Sequence, residues 1–279
     1  MSTEKAMRRE YSAAKRAWVV VPLAQAIALG IAMASYCSIV GAVTAAGTGI
    51  VVLLAAAIAR ELAGRRYGRA EELRRALVRT NGWGKRPDGH ALLLLLAEGS
   101  STESWDPPPI GEYFDSPHPT GARRTAHIVE QAAFFTVRHA STMATVCLML
   151  TALCFGIGVA LLWLVANGQA SPSAEPAFTQ AAGALLAFVP TSEFLSLWSG
   201  YTRLRSVARR AVEHCGALAR QESPDDEHVA FVVGSYDAGL AQGPPVPGLI
   251  YRLERDRLER AWAQHEAGPL APASGGQHG

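Results

Sequence analysis

Positive charge is missing from two long stretches of this 279-residue sequence. All 26 Lys and Arg residues lie outside residues 17–59 and 139–202, and both stretches are rich in apolar side chains. Each stretch is about twice the ~20 residues that a helix needs to cross the hydrocarbon core of a bilayer. The pattern therefore predicts an all-α membrane protein with four transmembrane helices in two hairpins. It excludes a chain whose apolar residues all belong to water-soluble cores.

Cysteine is also scarce in this sequence. The four cysteines form no CxxC pair and have no His or carboxylate neighbours at metal-ligand spacing. We therefore expect them to fill space between helices as small apolar side chains, without a metal or any other cofactor. They are Cys37, Cys147, Cys154 and Cys215.

Signatures of catalysis are missing as well. The sequence contains no Walker loop, no GxSxG, no HExxH and no dinucleotide-binding fingerprint. Its histidines are scattered, without partners at catalytic spacing. We therefore expect a protein that is not an enzyme.

The basic residues that are present predict the topology. Lys and Arg concentrate on the cytoplasmic side of short loops, so both termini and the middle of the chain are expected in the cytoplasm. The sequence then divides into alternating cytoplasmic and membrane segments. These are a cytoplasmic N-terminal helix (1–17), a first transmembrane hairpin (18–59, with spans at about 18–36 and 38–59), a cytoplasmic middle segment (60–140), a second hairpin (141–199, with spans at about 141–166 and 178–199), cytoplasmic C-terminal helices (200–266) and a disordered tail (267–279).

Polar helices are predicted beside the spans. The helical pattern continues past residue 59 and breaks at Asn81-Gly82-Trp83-Gly84, and an amphipathic helix from Gly121 runs directly into the third span. Beyond the fourth span, residues 200–221 form a basic helix. A further helix covers Asp225–Gln242, with Ser223-Pro224 as its cap and first turn, and a last helix covers residues 248–265.

The start of the chain has a second interpretation. Basic residues before an apolar run, with Ala32-Met33-Ala34 as a cleavage site, resemble a secretory signal. The apolar run that begins at Trp18 is longer than the core of such a signal, and a second span follows it almost at once. We therefore expect the first hairpin to be retained.

One acidic residue lies inside a predicted span. Glu193 follows Pro190 in the fourth span, roughly 10 Å from the cytoplasmic end of the helix at 1.5 Å per residue. A carboxylate costs ~3 kcal/mol or more at mid-bilayer and usually faces water or a partner, and Pro190 frees a backbone carbonyl one turn earlier. We expect both residues at a pore or gate, with Gln180 and Gln25 as further candidates. The alternative is that Glu193 lies near the interface and reaches toward Arg203 or water.

Small residues recur every four positions in each span. This spacing lets helix backbones approach closely, which matters because lipid supplies no hydrophobic drive for helix association. Contacts within one chain and contacts between chains are both open at this stage. The glycines concerned are Gly30, Gly41, Gly49, Gly156 and Gly183.

Arginine is enriched in the predicted cytoplasmic segments. Its guanidinium suits two-point contacts with phosphate, so these residues are candidates for binding an anionic signal. The alternative is ordinary positive-inside charge in contact with anionic lipid headgroups, which needs no DNA or RNA partner. The candidates are Arg65, Arg66, Arg69, Arg123 and Arg124.

Several short motifs flank the spans. Tyr11-Ser12-Ala13-Ala14-Lys15 precedes the first span, and Glu130, Phe134 and Phe135 lead into the third. Further along the chain come Leu197, Gly200, Tyr201 and Leu204, then Pro244-Pro245-Val246-Pro247 with Tyr251, Leu258 and Trp262. In this order, the motifs resemble those of the four-transmembrane effector proteins associated with second-messenger nucleotidyltransferases in bacterial antiphage systems.

The resemblance implies a pore-forming effector of the bacterial inner membrane. Such a protein assembles as a homo-oligomer or opens when a cyclic oligonucleotide, made by a partner nucleotidyltransferase, or another partner signals infection. The membrane is then permeabilised and the infected cell is killed or arrested. Two other functions fit the same topology: a non-conducting membrane adaptor that anchors the cytoplasmic helices, and a small transporter that uses an intramembrane carboxylate.

Overall fold

The computed structural model describes residues 3–36, 41–85, 116–191 and 193–267. Within these residues there are seven helices and no strand. The predicted turn around Cys37, residues 86–115 of the middle segment and the predicted tail from residue 268 onward lie outside this range. The helices are α1 (Thr3–Tyr36), α2 (Ala42–Trp83), α3 (Ala122–Ala166), α4 (Glu175–Thr191), α5 (Glu193–Ala219), α6 (Asp226–Gln242) and α7 (Gly248–Glu266).

Four helical stretches are long and apolar enough to cross a membrane, so the chain is a multi-pass membrane protein. Each is 32 to 45 residues long, well beyond the ~20 residues that a bilayer requires. The Lys and Arg residues of these helices lie in the parts that extend beyond the ~20-residue apolar segments. The predicted helical class and the predicted number of apolar spans are confirmed. The stretches are Glu4–Ser35, Val43–Trp83, Ala122–Ala166 and Glu175–Ala219, the last of which comprises α4 and α5.

The predicted break after the second span is confirmed at Trp83, where α2 ends. Gly84 adopts a left-handed conformation with φ of 68°, and its backbone N–H donates to the Thr80 carbonyl over 3.0 Å. Glycine takes this conformation without steric cost, which makes it the usual residue just beyond a helix C-terminus. α3 likewise runs without a break from its polar start at Ala122 through the predicted third span.

The predicted range of α6 is confirmed to within one residue, but its N-cap differs from the prediction. Asp225 is the N-cap, because its carboxylate accepts a hydrogen bond of 3.0 Å from the backbone N–H of His228. That contact satisfies one of the amides that a helix start leaves unpaired. Ser223 and Pro224, predicted as cap and first turn, lie instead in the connection from α5.

The larger apolar core joins α3, α5 and α6. Fully buried Ile128 and Val129 of α3 belong to one cluster with Ala208 of α5 and Val229 of α6. Burial of each Val or Ile side chain contributes roughly 1.5–3 kcal/mol. The predicted space-filling role of cysteine fits Cys215, which is buried in this cluster. α5 and α6 are therefore held to α3 by ordinary apolar packing.

α1 joins α2 through apolar side chains, and α2 joins α3 through a close backbone approach. Met7 of α1 packs against Leu73 and Leu77, which places the N-terminal turns of α1 beside the C-terminal half of α2. A Cβ atom on Gly82 would collide with Thr125 of α3, so α2 and α3 approach closely because residue 82 is glycine. The polar parts of all these helices thus meet at one end of the apolar stretches. We call residues 3–16, 60–85, 116–140 and 200–267 the helical domain.

Candidate functional site

A buried ionic network lies inside the helical domain. The Arg74 guanidinium donates to Glu71 through Nε over 2.8 Å and to Asp237 of α6 through Nη2. The side chains of Arg74 and Asp237 are only 8% and 9% exposed. Arg75 adds a hydrogen bond of 3.0 Å to the backbone carbonyl of Asp237. A charge taken this far out of water needs such partners, because an unpaired buried charge costs several kcal/mol.

Tyrosines extend this network to α1 and α3. The Tyr11 hydroxyl donates to Glu71 over 2.5 Å, and its ring meets the Tyr67 ring edge-on with centroids 5.7 Å apart. Tyr236 lies beneath the Arg74 guanidinium and shares a hydrogen bond of 2.9 Å with Thr136. Burial raises the pKa of Tyr11, Tyr67 and Tyr236 above the ordinary tyrosine value. All three hydroxyls therefore stay neutral near pH 7.

A cavity of about 600 Å³ opens beside the network, and we call it the tyrosine cavity. Its walls come from α1, α2, α3, α5, α6, α7 and the connection before α7. Its volume falls in the range of small-molecule sites, ~300–1,000 Å³. Four cationic side chains and a single carboxylate line it. The cations are Arg8, Lys15, Arg74 and Arg252, the carboxylate is Glu71, and the aromatic walls include Tyr11, Tyr67, Phe135, Tyr236 and Tyr251.

Lys15 occupies an unusual position in this cavity. It precedes the apolar stretch that begins near Trp18, and its Nζ lies 3.8 Å from the centroid of the Tyr251 ring and 5.8 Å from that of Tyr11. In the described part of the chain, no carboxylate lies within 4.0 Å of this ammonium. Burial lowers the pKa of Lys15 to about 8. The lysine is thus desolvated by aromatic rings without a counter-ion.

The predicted pore residue Glu193 has a specific partner. Its carboxylate forms an ion pair with Arg60 of α2, and the two side chains are 19% and 62% exposed. This contact joins the second and fourth spans where each meets the helical domain. Glu193 is therefore not a lone acid, and the alternative contact with Arg203 is not the one formed.

The other predicted pore residues do not gather around Glu193. Pro190 is exposed near the end of α4. Gln180 is also exposed, about 20 Å from Glu193 along the fourth span at 1.5 Å per residue. Gln25 is partly buried in α1, and its side-chain oxygen has no hydrogen-bond partner among the described residues. The four residues thus form no single cluster within one chain.

The five predicted packing glycines have open space around them. A Cβ atom would meet nothing within 4 Å at Gly30, Gly49, Gly156 and Gly183, and only the neighbouring Thr44 at Gly41. Close approach between α3 and α4 occurs instead at Gly158, where a Cβ would lie 3.0 Å from Leu186. Because a Cβ atom at these five positions would meet no other helix of the same chain, contact between chains is the packing role that remains for them. That role stays a prediction.

The predicted signal-binding arginines divide into two groups. Arg65 pairs with Glu61 over 2.9 Å and Arg66 lies 3.8 Å from Glu10, and both belong to the same part of α2 as Arg69.

The second group has a structural role. Arg124 is buried, and it donates to Asn81 and to the backbone carbonyls of Ser116 and His118. Arg123 donates to the Ala219 carbonyl over 2.8 Å. These two guanidinium groups form hydrogen bonds to backbone carbonyls near helix ends, and neither lines the tyrosine cavity.

The residues around the tyrosine cavity were not predicted as a site. Lys15 was not singled out as a binding residue, and Asp237, the partner of Arg74 on another helix, lies 163 positions away in the sequence. A signal was nevertheless present in the motifs that carried the family resemblance. Eight of their residues line this one cavity: Tyr11, Ser12, Lys15, Phe135, Leu204, Pro244, Val246 and Tyr251.

Comparison with known proteins adds no further assignment. The chain matches no protein-family model, no curated protein sequence and no solved structure. Within the described residues, no three His, Cys, Asp or Glu side chains are grouped to hold a metal ion. The arrangement of side chains alone therefore indicates what the site can do: it offers cations and aromatic rings to an anionic ligand.

Proposed function

We propose that this chain is a regulated, membrane-permeabilising protein of the bacterial inner membrane. Its helical domain and both termini lie in the cytoplasm, and its apolar stretches form two transmembrane hairpins. The observation that carries the proposal is the continuity of α1, α2 and α3. Each of these helices lines the tyrosine cavity and continues without a break into an apolar stretch. A ligand in the cavity therefore acts directly on three membrane-crossing helices.

Oligomerisation follows from the sparse packing of the apolar stretches. Only 11–12% of the residues in the most apolar part of each stretch are buried within the chain. The remaining surface faces lipid or other copies, and open glycines such as Gly30, Gly49 and Gly156 allow close approach of a second copy. A homo-oligomer can enclose a conduction path that one copy with such loosely packed spans does not.

Glu193 and Arg60 provide the charged mouth of this path. Pro190 shapes the adjoining end of α4, and Gln180 and Gln25 offer polar groups deeper in the apolar region. Because the ion pair is partly exposed, it contributes little to stability, typically ~0–1 kcal/mol. Its two charges instead act on passing ions.

The resemblance to antiphage effectors supports the biological setting. In that setting a cyclic oligonucleotide or a partner protein opens the pore during infection, and the cell is killed or arrested. The chain itself performs no chemistry and needs no cofactor. Its action is to dissipate ion gradients across the membrane.

Ion flux from liposomes that contain the full-length protein tests this function. We expect potassium efflux from the wild type, increased by the activating cyclic oligonucleotide. Glu193→Gln leaves Arg60 unpaired, so under a salt gradient we expect the reversal potential to move toward the equilibrium potential of the anion. Arg60→Gln leaves Glu193 unpaired, so we expect movement toward the equilibrium potential of the cation. Glu213→Gln is the matched control, because Glu213 forms an exposed ion pair with Arg209 in α5, beyond the predicted span.

Two results would count against parts of this proposal. If no protein produces flux with or without cyclic oligonucleotides, the pore is wrong and a non-conducting adaptor fits better. If flux occurs but both charge variants keep the wild-type selectivity, the pore survives and the Arg60–Glu193 pair does not line it.

A further inference from the structure

The ammonium of Lys15 is the starting point, because it is held in the tyrosine cavity without an anion. Its contacts are the faces of Tyr251 and Tyr11, and cation–π contacts replace only part of the hydration that an ammonium loses. With a pKa of about 8, most molecules still carry the charge at neutral pH. An incoming anion would therefore meet a cation that is already partly desolvated.

The rest of the cavity has the same preference for negative charge. Arg74 is paired through Nε and Nη2, yet its Nη1 is buried without a hydrogen-bond partner among the described residues. Arg252 lies exposed at the rim, whereas Arg8, which lines the wall, is already paired with Glu4. The single lining carboxylate, Glu71, already accepts hydrogen bonds from Tyr11 and Arg74. Little negative charge remains to repel an anion.

The walls of the tyrosine cavity favour a ligand that also has an apolar or planar group. Most of the remaining lining residues are aromatic or aliphatic, and Tyr11, Tyr67 and Tyr251 present ring surfaces beside the cations. Lys15 is also only three residues, about 5 Å along the helix axis, from Trp18 at the predicted membrane edge. The cavity can thus be reached by a soluble molecule or by a lipid headgroup.

We infer that the tyrosine cavity binds an organic phosphate. Its phosphate pairs with Lys15, supported by the positive charges of Arg252 and Arg74, and its planar or apolar part packs against Tyr251 and Tyr11. The shared chemistry is a phosphate ester, supplied either by a soluble nucleotide or by an anionic phospholipid. The consequence that such a ligand opens the pore rests on the proposed function, whereas binding itself does not.

Binding to the full-length protein in nanodiscs separates the two sources. In phosphatidylcholine nanodiscs, titration calorimetry with AMP, with a cyclic dinucleotide and with inorganic phosphate tests the soluble source. In mixed nanodiscs, native mass spectrometry counts retained phosphatidylglycerol and tests the lipid source. We expect at least one ester to bind saturably and about tenfold or more tightly than inorganic phosphate, since only an ester also uses the rings.

Variants tie the binding to the cavity. Lys15→Gln should weaken ester binding about tenfold or more, as expected for loss of a hydrogen bond to a charged group, while Lys15→Arg should largely retain it. Arg252→Gln and Tyr251→Leu change exposed side chains at the rim, so they test the site without endangering the fold. Lys85→Gln is the matched control, because Lys85 also lies over an aromatic ring, that of Trp83, outside the cavity.

The outcomes are separable from those of the flux experiment. The inference is overturned if neither AMP, the cyclic dinucleotide nor phosphatidylglycerol binds saturably to the wild type. It is equally overturned if Lys15→Gln, Arg252→Gln and Tyr251→Leu all bind as the wild type does, or if inorganic phosphate binds as tightly as the esters. Flux without binding would remove this site and leave the pore. Binding without flux would keep the site and remove the pore.

Discussion

At the scale of single residues, Arg74 connects three helices of the helical domain. Its guanidinium links α2 to α6 through Asp237 and is linked through Glu71 to Tyr11 of α1. An exposed ion pair is worth little, but removal of one partner from a buried pair leaves an uncompensated charge. The charges of this network are therefore satisfied only when α1, α2 and α6 pack together in one particular register.

Asp237→Asn tests this condition. The substitution keeps the shape of the side chain and removes the charge opposite Arg74, so the guanidinium is left underpaired in a buried site. We expect a loss of about 3–5 kcal/mol in the free energy of unfolding. Chemical denaturation of the detergent-solubilised protein, followed by circular dichroism, measures it.

Glu213→Gln serves as the comparison for Asp237→Asn. It removes a carboxylate from an ion pair whose two side chains are 60% and 75% exposed, so the expected loss is below ~1 kcal/mol. Equal effects of the two substitutions would show that burial of the Arg74 network does not govern stability.

At the level of elements, α7 depends on a small number of contacts. Leu258 and Trp262 are its two buried residues, and Trp262 packs against Phe134 and His127 of α3. Glu130 pairs with His265 over 2.9 Å at the end of α7. The preceding prolines are fixed by Tyr201, whose hydroxyl donates to the Pro245 carbonyl over 2.8 Å. α7 in turn delivers Tyr251 and Arg252 to the tyrosine cavity.

Trp262→Ala should detach α7 while the rest of the fold persists. Truncation of a buried Trp typically costs about 3–5 kcal/mol, and here the loss falls on an element with few other apolar contacts. Limited proteolysis should show faster cleavage between residues 243 and 267, with the larger fragment protected. Leu253→Ala, at a position that is 71% exposed, is the control and should leave cleavage unchanged. Unchanged cleavage of Trp262→Ala would mean that α7 is held by contacts other than this ring.

At the scale of the whole molecule, the sequence predicts what depends on neighbours along the chain. The apolar stretches follow from composition over ~20-residue windows, and the end of α2 follows from Gly84. The tyrosine cavity was beyond such reasoning, because its walls come from six helices whose packing no local pattern specifies. The pairing of Glu193 with Arg60 was missed for the same reason, since 133 positions separate the two residues.

Topology is the property of the whole molecule that a direct experiment can decide. The basic segments of α1, α2, α3 and α5 all belong to the helical domain, whereas the connection between α3 and α4 carries no Lys or Arg. A cytoplasmic helical domain therefore satisfies the positive-inside rule at every span. The opposite orientation violates that rule at each of them.

Labelling of introduced cysteines with a membrane-impermeant maleimide tests this orientation. Ser171 lies exposed between α3 and α4, and Glu222 lies exposed between α5 and α6. We expect Ser171→Cys to be labelled in intact bacterial spheroplasts, and Glu222→Cys only in inverted membrane vesicles, since each site then faces the reagent. The unsubstituted chain keeps all four native cysteines, of which Cys147 and Cys215 are buried and Cys154 is partly exposed, and it gives the background to be subtracted in both preparations. The reverse pattern would place the helical domain outside the cell, where no cytoplasmic nucleotide reaches the tyrosine cavity.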